Sequence, residues 1–259
     1  MNNYPHGQFC WVELTAANWQ QAKDFYCNLF NWTAIDDPIG DDKYYTMMQV
    51  DGKTVAAMFE ITPEQQANGV MTNWLSYVAV DDADKTCEIA QDMGGDIISG
   101  PHDVMTAGRM AIIQQPQGAV FAIWQGNEHP GIGLRDTDNT LCWNELATKS
   151  ASDSKAFYHN LFQWECIDSL MEGMEYTEFV AANKPQGGML EMTEEWGDTP
   201  PHWMAYFQVA DCDQAAEKAE SLGATICVPP SNIPEVGRFS VINDPQGATF
   251  SIITLQAKP

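Results

Sequence analysis

Cys10-Trp11-Val12-Glu13-Leu14 returns as Cys142-Trp143-Asn144-Glu145-Leu146, and this repeated stretch decides the fold. Around it, residues 9–36 and 141–168 are identical at 13 of 28 positions. Farther along, Pro116-Gln117-Gly118-Ala119 returns as Pro245-Gln246-Gly247-Ala248. A match that keeps its order and spacing indicates two copies of one domain. We therefore predict a first domain at residues 1–125, a linker at 126–140 and a second domain at 141–259.

The composition favours two globular domains that do not bind nucleic acid. The 259 residues are 44% hydrophobic, which is enough for two cores. The net charge of −24 opposes binding to nucleic acid and to anionic membranes. The start of the chain lacks the pattern of a signal peptide, and no apolar run reaches the roughly 20 residues of a membrane span. We expect a cytoplasmic monomer or homodimer whose seven cysteines are mostly buried thiols.

Each half contains the pattern of a strand, a helix and three strands twice. Asn18 and Asp82 are positioned to cap helices, and Asp51-Gly52 is typical of a hairpin turn. The prediction is an α+β fold of four βαβββ modules. A module this small leaves one face of its sheet uncovered. Two modules curling toward each other would therefore form an open β-barrel cleft. We expect two such clefts, either one per half or with modules exchanged between the halves.

Alternation along the first strand separates a helix-facing side from an inward side. Cys10 would pack on the helix, and Phe9, Trp11 and Glu13 would face inward. The second copy presents Trp143 and Glu145 in the same way. An inward carboxylate is costly unless it has a partner. Glu13 and Glu145 are therefore either ligand-binding, proton-transferring or metal-binding groups, or members of structural ion pairs.

Two arginines and two tyrosines accompany these glutamates in both copies. Arg109 and Arg238 are the natural counter-ions, acting either as structural clamps or as contacts to a ligand. Tyr77 and Tyr206 would add flat walls to a small-molecule pocket beside Trp11 and Trp143. Trp74 and Trp203 are out of phase with these tyrosines, and we expect them in the core.

Several motifs together resemble the vicinal oxygen chelate superfamily, which includes glyoxalase I, bleomycin-resistance proteins and extradiol dioxygenases. They are the four βαβββ modules, the F-Y-x-x-L-F-x-W helix endings at 25–32 and 157–164, the V-x-D-x-D helix starts at 80–84 and 209–213, and the P-Q-G-A hairpins. The resemblance spans residues 9–255. It implies the fold more firmly than an activity, because this fold hosts many chemistries.

The resemblance also implies where a divalent metal would bind. The ligand positions of metal-dependent members fall on Trp11, Leu75 and Ala122 in the first half, and on Trp143, Met204 and Ser251 in the second half. A further position corresponds to Glu60 and Glu191. Most of these side chains cannot bind zinc, nickel or iron. We therefore expect no cofactor and no metal, unless Glu13 with Glu60, or Glu145 with Glu191, forms a displaced metal site.

Three functions remain open from the sequence. The first is a metal-free protein of the bleomycin-resistance type that binds a small organic molecule in its clefts. The second is a metal-dependent lyase or isomerase resembling glyoxalase, which would use the displaced metal site. The third is a metal-free enzyme in which Glu13 or Glu145 acts as general base.

Overall fold

The computed structural model describes residues 4–40, 43–171 and 173–256. The first half contains β1 (Phe9–Ala16), α1 (Trp19–Phe30), β2 (Thr33–Gly40), β3 (Lys43–Val50), β4 (Lys53–Glu60), α2 (Pro63–Ala67), β5 (Asn73–Ala79), α3 (Ala83–Asp92), β6 (Asp96–Val104), β7 (Gly108–Gln114) and β8 (Val120–Gly126). The second half contains β9 (Leu141–Thr148), α4 (Ala151–Phe162), β10 (Glu165–Met171), β11 (Met174–Ala181), β12 (Lys184–Glu191), a 3-10 turn (Glu194–Trp196), β13 (His202–Gln208), α5 (Cys212–Ser221), β14 (Thr225–Ile233), β15 (Gly237–Asn243) and β16 (Thr249–Leu255).

Each half of the sequence forms one eight-stranded sheet. The strand order is β2-β3-β4-β1-β5-β8-β7-β6 in the first half and β10-β11-β12-β9-β13-β16-β15-β14 in the second. The first strand of each module pairs in parallel with the last, as β1 does with β4 and β9 with β12. The predicted α+β class and the four βαβββ modules are confirmed.

The chain packs as two compact units, and each unit combines segments from both halves. One unit contains residues 1–11, 76–131 and 143–204, and the other contains residues 12–75, 132–142 and 205–259. We call them unit 1 and unit 2. Residues 127–140, all of which the structure describes, form neither helix nor strand.

The helices begin where the sequence predicts. The side chain of Asn18 accepts the backbone N–H of Gln21, and Asp82 caps α3 in the same manner. In α1, apolar residues three and four positions apart bury one face of the helix. These buried residues are Ala22, Phe25, Tyr26, Leu29 and Phe30.

The glutamines of the two P-Q-G-A hairpins hold the starts of two helices. In unit 2, Gln246 Oε1 accepts the backbone N–H of Asn18 at 2.6 Å, and Gln246 Nε2 donates to the Asn18 carbonyl at 2.9 Å. In unit 1, Gln117 makes the same two bonds to Ser150, at 2.9 and 3.2 Å. Each helix start is therefore bound by a module that comes from the other half of the sequence.

Trp74 and Trp203 lie in the cores, as predicted. Trp74 Nε1 donates to the hydroxyl of Tyr26 in unit 2, and Trp203 Nε1 donates to that of Tyr158 in unit 1. The inward placement of Phe9 is wrong, because its ring centroid lies 5.1 Å from that of Trp203, within the core of unit 1. Phe9 begins β1, and strand alternation does not predict how the chain enters a sheet.

No helix in the described ranges is long and apolar enough to cross a membrane.

Candidate functional site

Glu13 is a buried carboxylate on the face of its sheet that points away from the helices. It pairs in register with Ala57, which in turn pairs with Met47. Since paired residues share a face and side chains alternate along a strand, Tyr45 lies on the same face. The Tyr45 hydroxyl donates to Glu13 Oε2 at 2.5 Å, and Glu13 is only 7% exposed.

The second copy repeats this arrangement around Glu145 in unit 1. The hydroxyl of Tyr176 donates to Glu145 Oε2 at 3.0 Å and accepts from Trp143 Nε1, also at 3.0 Å. Burial, and next the negative charge of Glu145, raise the pKa of Tyr176 well above its usual value. Tyr176 therefore stays protonated and keeps donating a hydrogen bond to the carboxylate.

Neither tyrosine is among the site residues predicted from the sequence, although a signal is present there. Tyr45-Thr46 and Tyr176-Thr177 are repeat-equivalent dipeptides in otherwise divergent strands. Register then brings each tyrosine to the glutamate of its own copy. We call Glu13 with Tyr45, and Glu145 with Tyr176, the Glu–Tyr pairs.

Because Gly188 has no side chain, the Tyr176 hydroxyl can approach its backbone closely and reach Glu145. A Cβ atom added to Gly188 would lie 3.0 Å from Trp143 Nε1 and would overlap the Tyr176 hydroxyl. Gly188 stands opposite Glu145 in the parallel pairing of β12 with β9. Any larger residue here would displace the tyrosine from its carboxylate.

Three of the four predicted aromatic wall residues are almost fully buried, whereas Trp143 is partly exposed. Trp11 is 5% exposed, and its ring packs edge-on against His129 with centroids 4.6 Å apart. Burial lowers the pKa of His129, which favours a neutral ring beside the indole. Tyr77 and Tyr206 are also buried, and their carbonyl groups accept weak bonds from cysteine thiols.

The two repeat-equivalent arginines bind aspartates at helix starts. Arg109 donates to both carboxylate oxygens of Asp84 at 2.7 and 2.8 Å, and to Asp103 at 2.9 Å. Arg238 makes the same two-pronged contact with Asp213, at 2.6 and 2.7 Å. The hydrogen bonds from Arg109 hold the pKa of Asp84 below its usual value. The expected pairing of these arginines with the inward glutamates is wrong, because aspartates in the first turns of α3 and α5 bind them.

Glu60 and Glu191 point away from the Glu–Tyr pairs. Glu60 pairs in register with Ala16, three residues after Glu13, and an odd separation along a strand places two side chains on opposite faces. Glu60 Oε2 accepts the backbone N–H of Trp19 at 3.2 Å. Glu191 accepts the first backbone N–H of α4 at 2.7 Å. The displaced metal site that would combine these glutamates with Glu13 and Glu145 is therefore wrong.

The donor set does not fit the metal that the resemblance implies. Of its expected ligand positions, five carry indole, aliphatic or thioether groups and Ser251 supplies one hydroxyl. The remaining two, Glu60 and Glu191, bind backbone N–H groups at helix starts. Within residues 4–40, 43–171 and 173–256, no group of three or more His, Cys, Asp or Glu side chains could hold a metal ion.

Comparison with known proteins agrees with the duplicated fold. The family model of the Glyoxalase/Bleomycin resistance protein/Dioxygenase superfamily matches residues 8–123 and 140–252. This chain belongs to that superfamily. The resemblance seen in the sequence is thereby confirmed, and the superfamily match occurs once in each half.

Relatives of this superfamily member align over nearly its whole length. "Putative glyoxylase CFP32" of Mycobacterium tuberculosis (strain CDC 1551 / Oshkosh) is 36% identical over 97% of this chain and 96% of its own. Anthracycline biosynthesis protein DnrV of Streptomyces peucetius is 31% identical over 99% of this chain and 96% of its own. A crystal structure of a Mn(II)-bound glyoxalase from Novosphingobium aromaticivorans has a TM-score of 0.65 at 15% identity, covering 97% of this chain and 83% of that one. This last likeness concerns the fold alone.

Proposed function

We propose that this superfamily member binds a small organic molecule at the inward faces of β1 and β9, without the metal that related enzymes use. The observation that carries this proposal is the Glu–Tyr pair, which occurs in both copies at repeat-equivalent positions. Glu13 is buried and Glu145 is half-buried, and withdrawing a charge from water is unfavourable unless a partner compensates it. A carboxylate kept at this position in both copies therefore needs a role. Recognition of an O–H or N–H group on a ligand supplies one.

The chemistry of the neighbouring residues favours a flat, hydroxylated aromatic ligand. The indoles of Trp11 and Trp143 lie two residues before the paired glutamates on the same strands, and aromatic side chains commonly line ligand pockets. Ligand hydroxyl groups would donate to the carboxylates of Glu13 and Glu145. A relative named for anthracycline biosynthesis supports this class of ligand. The strongly negative protein also disfavours anionic ligands at long range.

A second candidate function is metal-free proton transfer. The burial of Glu13 favours it, since a carboxylate shielded from water is a suitable general base. Activity that disappears in Glu13→Gln while ligand affinity stays within about twofold would identify this function. A loss of affinity alone would favour binding without chemistry.

Titration calorimetry with a panel of hydroxylated polycyclic aromatics, with and without EDTA, tests the proposed binding. We expect binding that EDTA leaves unchanged and that weakens at least about tenfold in Glu13→Gln and in Glu145→Gln, because each removes a charged acceptor. Glu60→Gln, on the opposite face, is the matched control and should retain full affinity. Stoichiometric bound metal together with binding that EDTA abolishes would overturn the metal-free site. Unchanged affinity in both inward variants would overturn the role of the Glu–Tyr pairs.

A further inference from the structure

The helix-facing side of β2 and β3 carries a groove that Trp19 fills in unit 2. Lys23 Nζ binds Asp36 at 2.8 Å, and the Thr46 hydroxyl donates to the same carboxylate at 2.9 Å. The indole N–H of Trp19 donates to Thr46 Oγ1 at 2.7 Å. The indole also stacks on Tyr44 with centroids 5.0 Å apart, and Lys23 Nζ lies 4.0 Å from its centre. This groove therefore binds an indole within the chain itself.

Unit 1 keeps the polar frame of this groove. Lys155 Nζ binds both oxygens of Asp168, at 2.7 and 2.8 Å, and the Thr177 hydroxyl donates to Asp168 at 2.7 Å. These three residues are the repeat equivalents of Lys23, Asp36 and Thr46. Their hydrogen bonds hold the pKa of Asp168 below its usual value, so the carboxylate stays charged.

The indole that fills the first groove is missing from the second. Ala151 stands where Trp19 stands in the first copy, and Glu175 stands where Tyr44 stands. A cavity of about 380 Å³ results, within the range of about 300–1,000 Å³ that small-molecule pockets occupy. Its lining includes Ala151, Lys155, Asp168, Glu175, Thr177 and Met189.

Thr177 presents an acceptor in this cavity. Its side chain is almost wholly buried, and its hydroxyl hydrogen is committed to Asp168. In the part of the chain that the structure describes, no group donates to Thr177 Oγ1, whereas the equivalent oxygen of Thr46 receives the indole N–H. Since a hydroxyl oxygen can accept as well as donate, Thr177 can receive the ring N–H of a bound ligand.

We propose that the cavity between α4 and strands β10 to β12 binds a cationic aromatic amine with a ring N–H, such as an indolylalkylamine. The ring takes the place of the Trp19 indole and donates to Thr177. The ammonium group lies toward Glu175, which replaces the stacking tyrosine with an exposed carboxylate. Lys155 and Asp168 neutralise each other, so Glu175 and Glu191 leave the lining negative and favour a cation. This site lies on the opposite face of the sheet from the pair of Glu145 and Tyr176, and it does not depend on the function proposed for the Glu–Tyr pairs.

Titration calorimetry with tryptamine tests the proposal, and phenethylamine is the comparison ligand because it keeps the ammonium group and lacks the ring N–H. We expect tryptamine to bind with one site per chain and at least about tenfold more tightly than phenethylamine. Thr177→Val should remove this preference, since it deletes the acceptor. Absence of tryptamine binding at millimolar concentration, or equal affinity for the two amines, would overturn the proposal.

The duplication supplies matched variants that locate the site. Ala151→Trp places an indole where the first copy has one and should abolish tryptamine binding. Trp19→Ala opens the first groove, where Tyr44 replaces Glu175, and should add a second site that binds tryptamine more weakly. Tryptamine binding that survives Ala151→Trp but is lost in Glu145→Gln would assign the ligand to the inward face and overturn the proposal.

Discussion

Replacing Tyr26 by phenylalanine should destabilise unit 2 strongly, because its hydroxyl joins two buried polar groups. The hydroxyl donates to Asp244 Oδ2 at 2.9 Å and accepts from Trp74 Nε1 at 2.9 Å. Losing a hydrogen bond to a charged acceptor costs about 1.5–3 kcal/mol, and a buried N–H left without a partner costs about 1–3 kcal/mol. The free energy of unfolding should therefore fall by roughly 2.5–6 kcal/mol in Tyr26→Phe.

Tyr158→Phe is the matched control in unit 1. The Tyr158 hydroxyl has one partner among the described residues, Trp203 Nε1 at 2.8 Å. Gln115 stands at the position equivalent to Asp244, and its Oε1 has no partner among those residues. Tyr158→Phe should therefore cost only about 1–3 kcal/mol, the penalty for one N–H. The two variants should differ by about 1.5–3 kcal/mol.

The cost of Tyr26→Phe should also depend on pH. Burial raises the pKa of Asp244, while hydrogen bonds, including that from Tyr26, oppose the rise. Because the folded pKa is above the unfolded one, Asp244 favours folding most when it is protonated, and this stability is lost as pH rises through the folded pKa. Removing the Tyr26 hydroxyl raises that pKa further, so more stability is lost with rising pH in the variant. The penalty should therefore be larger at about pH 7 than at about pH 4.

Urea unfolding followed by circular dichroism at these two pH values measures both effects. The penalty of Tyr158→Phe should not change between them, because among the described residues the Tyr158 hydroxyl contacts Trp203 and no carboxylate. Equal losses in the two variants at neutral pH, or a Tyr26→Phe penalty that does not vary with pH, would refute the reasoning.

Three further perturbations test other parts of the structure. Gly188→Ala should push Tyr176 off its carboxylate and weaken ligand binding at the second copy at least about tenfold, as measured by calorimetry; full affinity would contradict the close packing seen there. Arg109→Met should lower the free energy of unfolding only slightly and leave ligand affinity unchanged, because its ion pairs lie at the surface; a large loss of affinity would assign it to the ligand. Burial raises the pKa of Cys142 to about 12, so a thiol reagent at neutral pH should label the exposed Cys227 at once and Cys142 only after unfolding; rapid labelling of Cys142 in the native protein would be contrary to its burial.

The order of strands and helices is predicted well from the sequence. The repeat is visible in a single chain, and strand periodicity depends only on neighbouring residues. Register between strands then determines which residues meet, and a single sequence does not show register. Tyr45 and Tyr176 reach their glutamates only through the pairing of β1 and β9 with distant strands. Strand alternation nevertheless placed Glu13 on the inward face and Trp74 in the core.

The arginines show why charge pairing was harder to predict. The chain has three arginines and 36 acidic residues, so each arginine has many possible partners. Arg109 binds Asp84, which lies in the first turn of α3. It does not bind Glu13, which is much farther away in the sequence. The position of the helix start therefore determines which carboxylate each arginine binds. The repeated position of the arginine indicates only that the same contact occurs in both copies.

The bonds from Gln117 and Gln246 to helix starts have a consequence for the history of the chain. Each compact unit needs one module from each half, so a polypeptide of half this length would hold only incomplete units. Two such polypeptides could complete both units by pairing, with each glutamine binding a helix start of its neighbour. An ancestor from before the duplication is therefore expected to have been a symmetric dimer. The halves of the present chain, produced as separate fragments, should likewise recover their fold only when they are mixed.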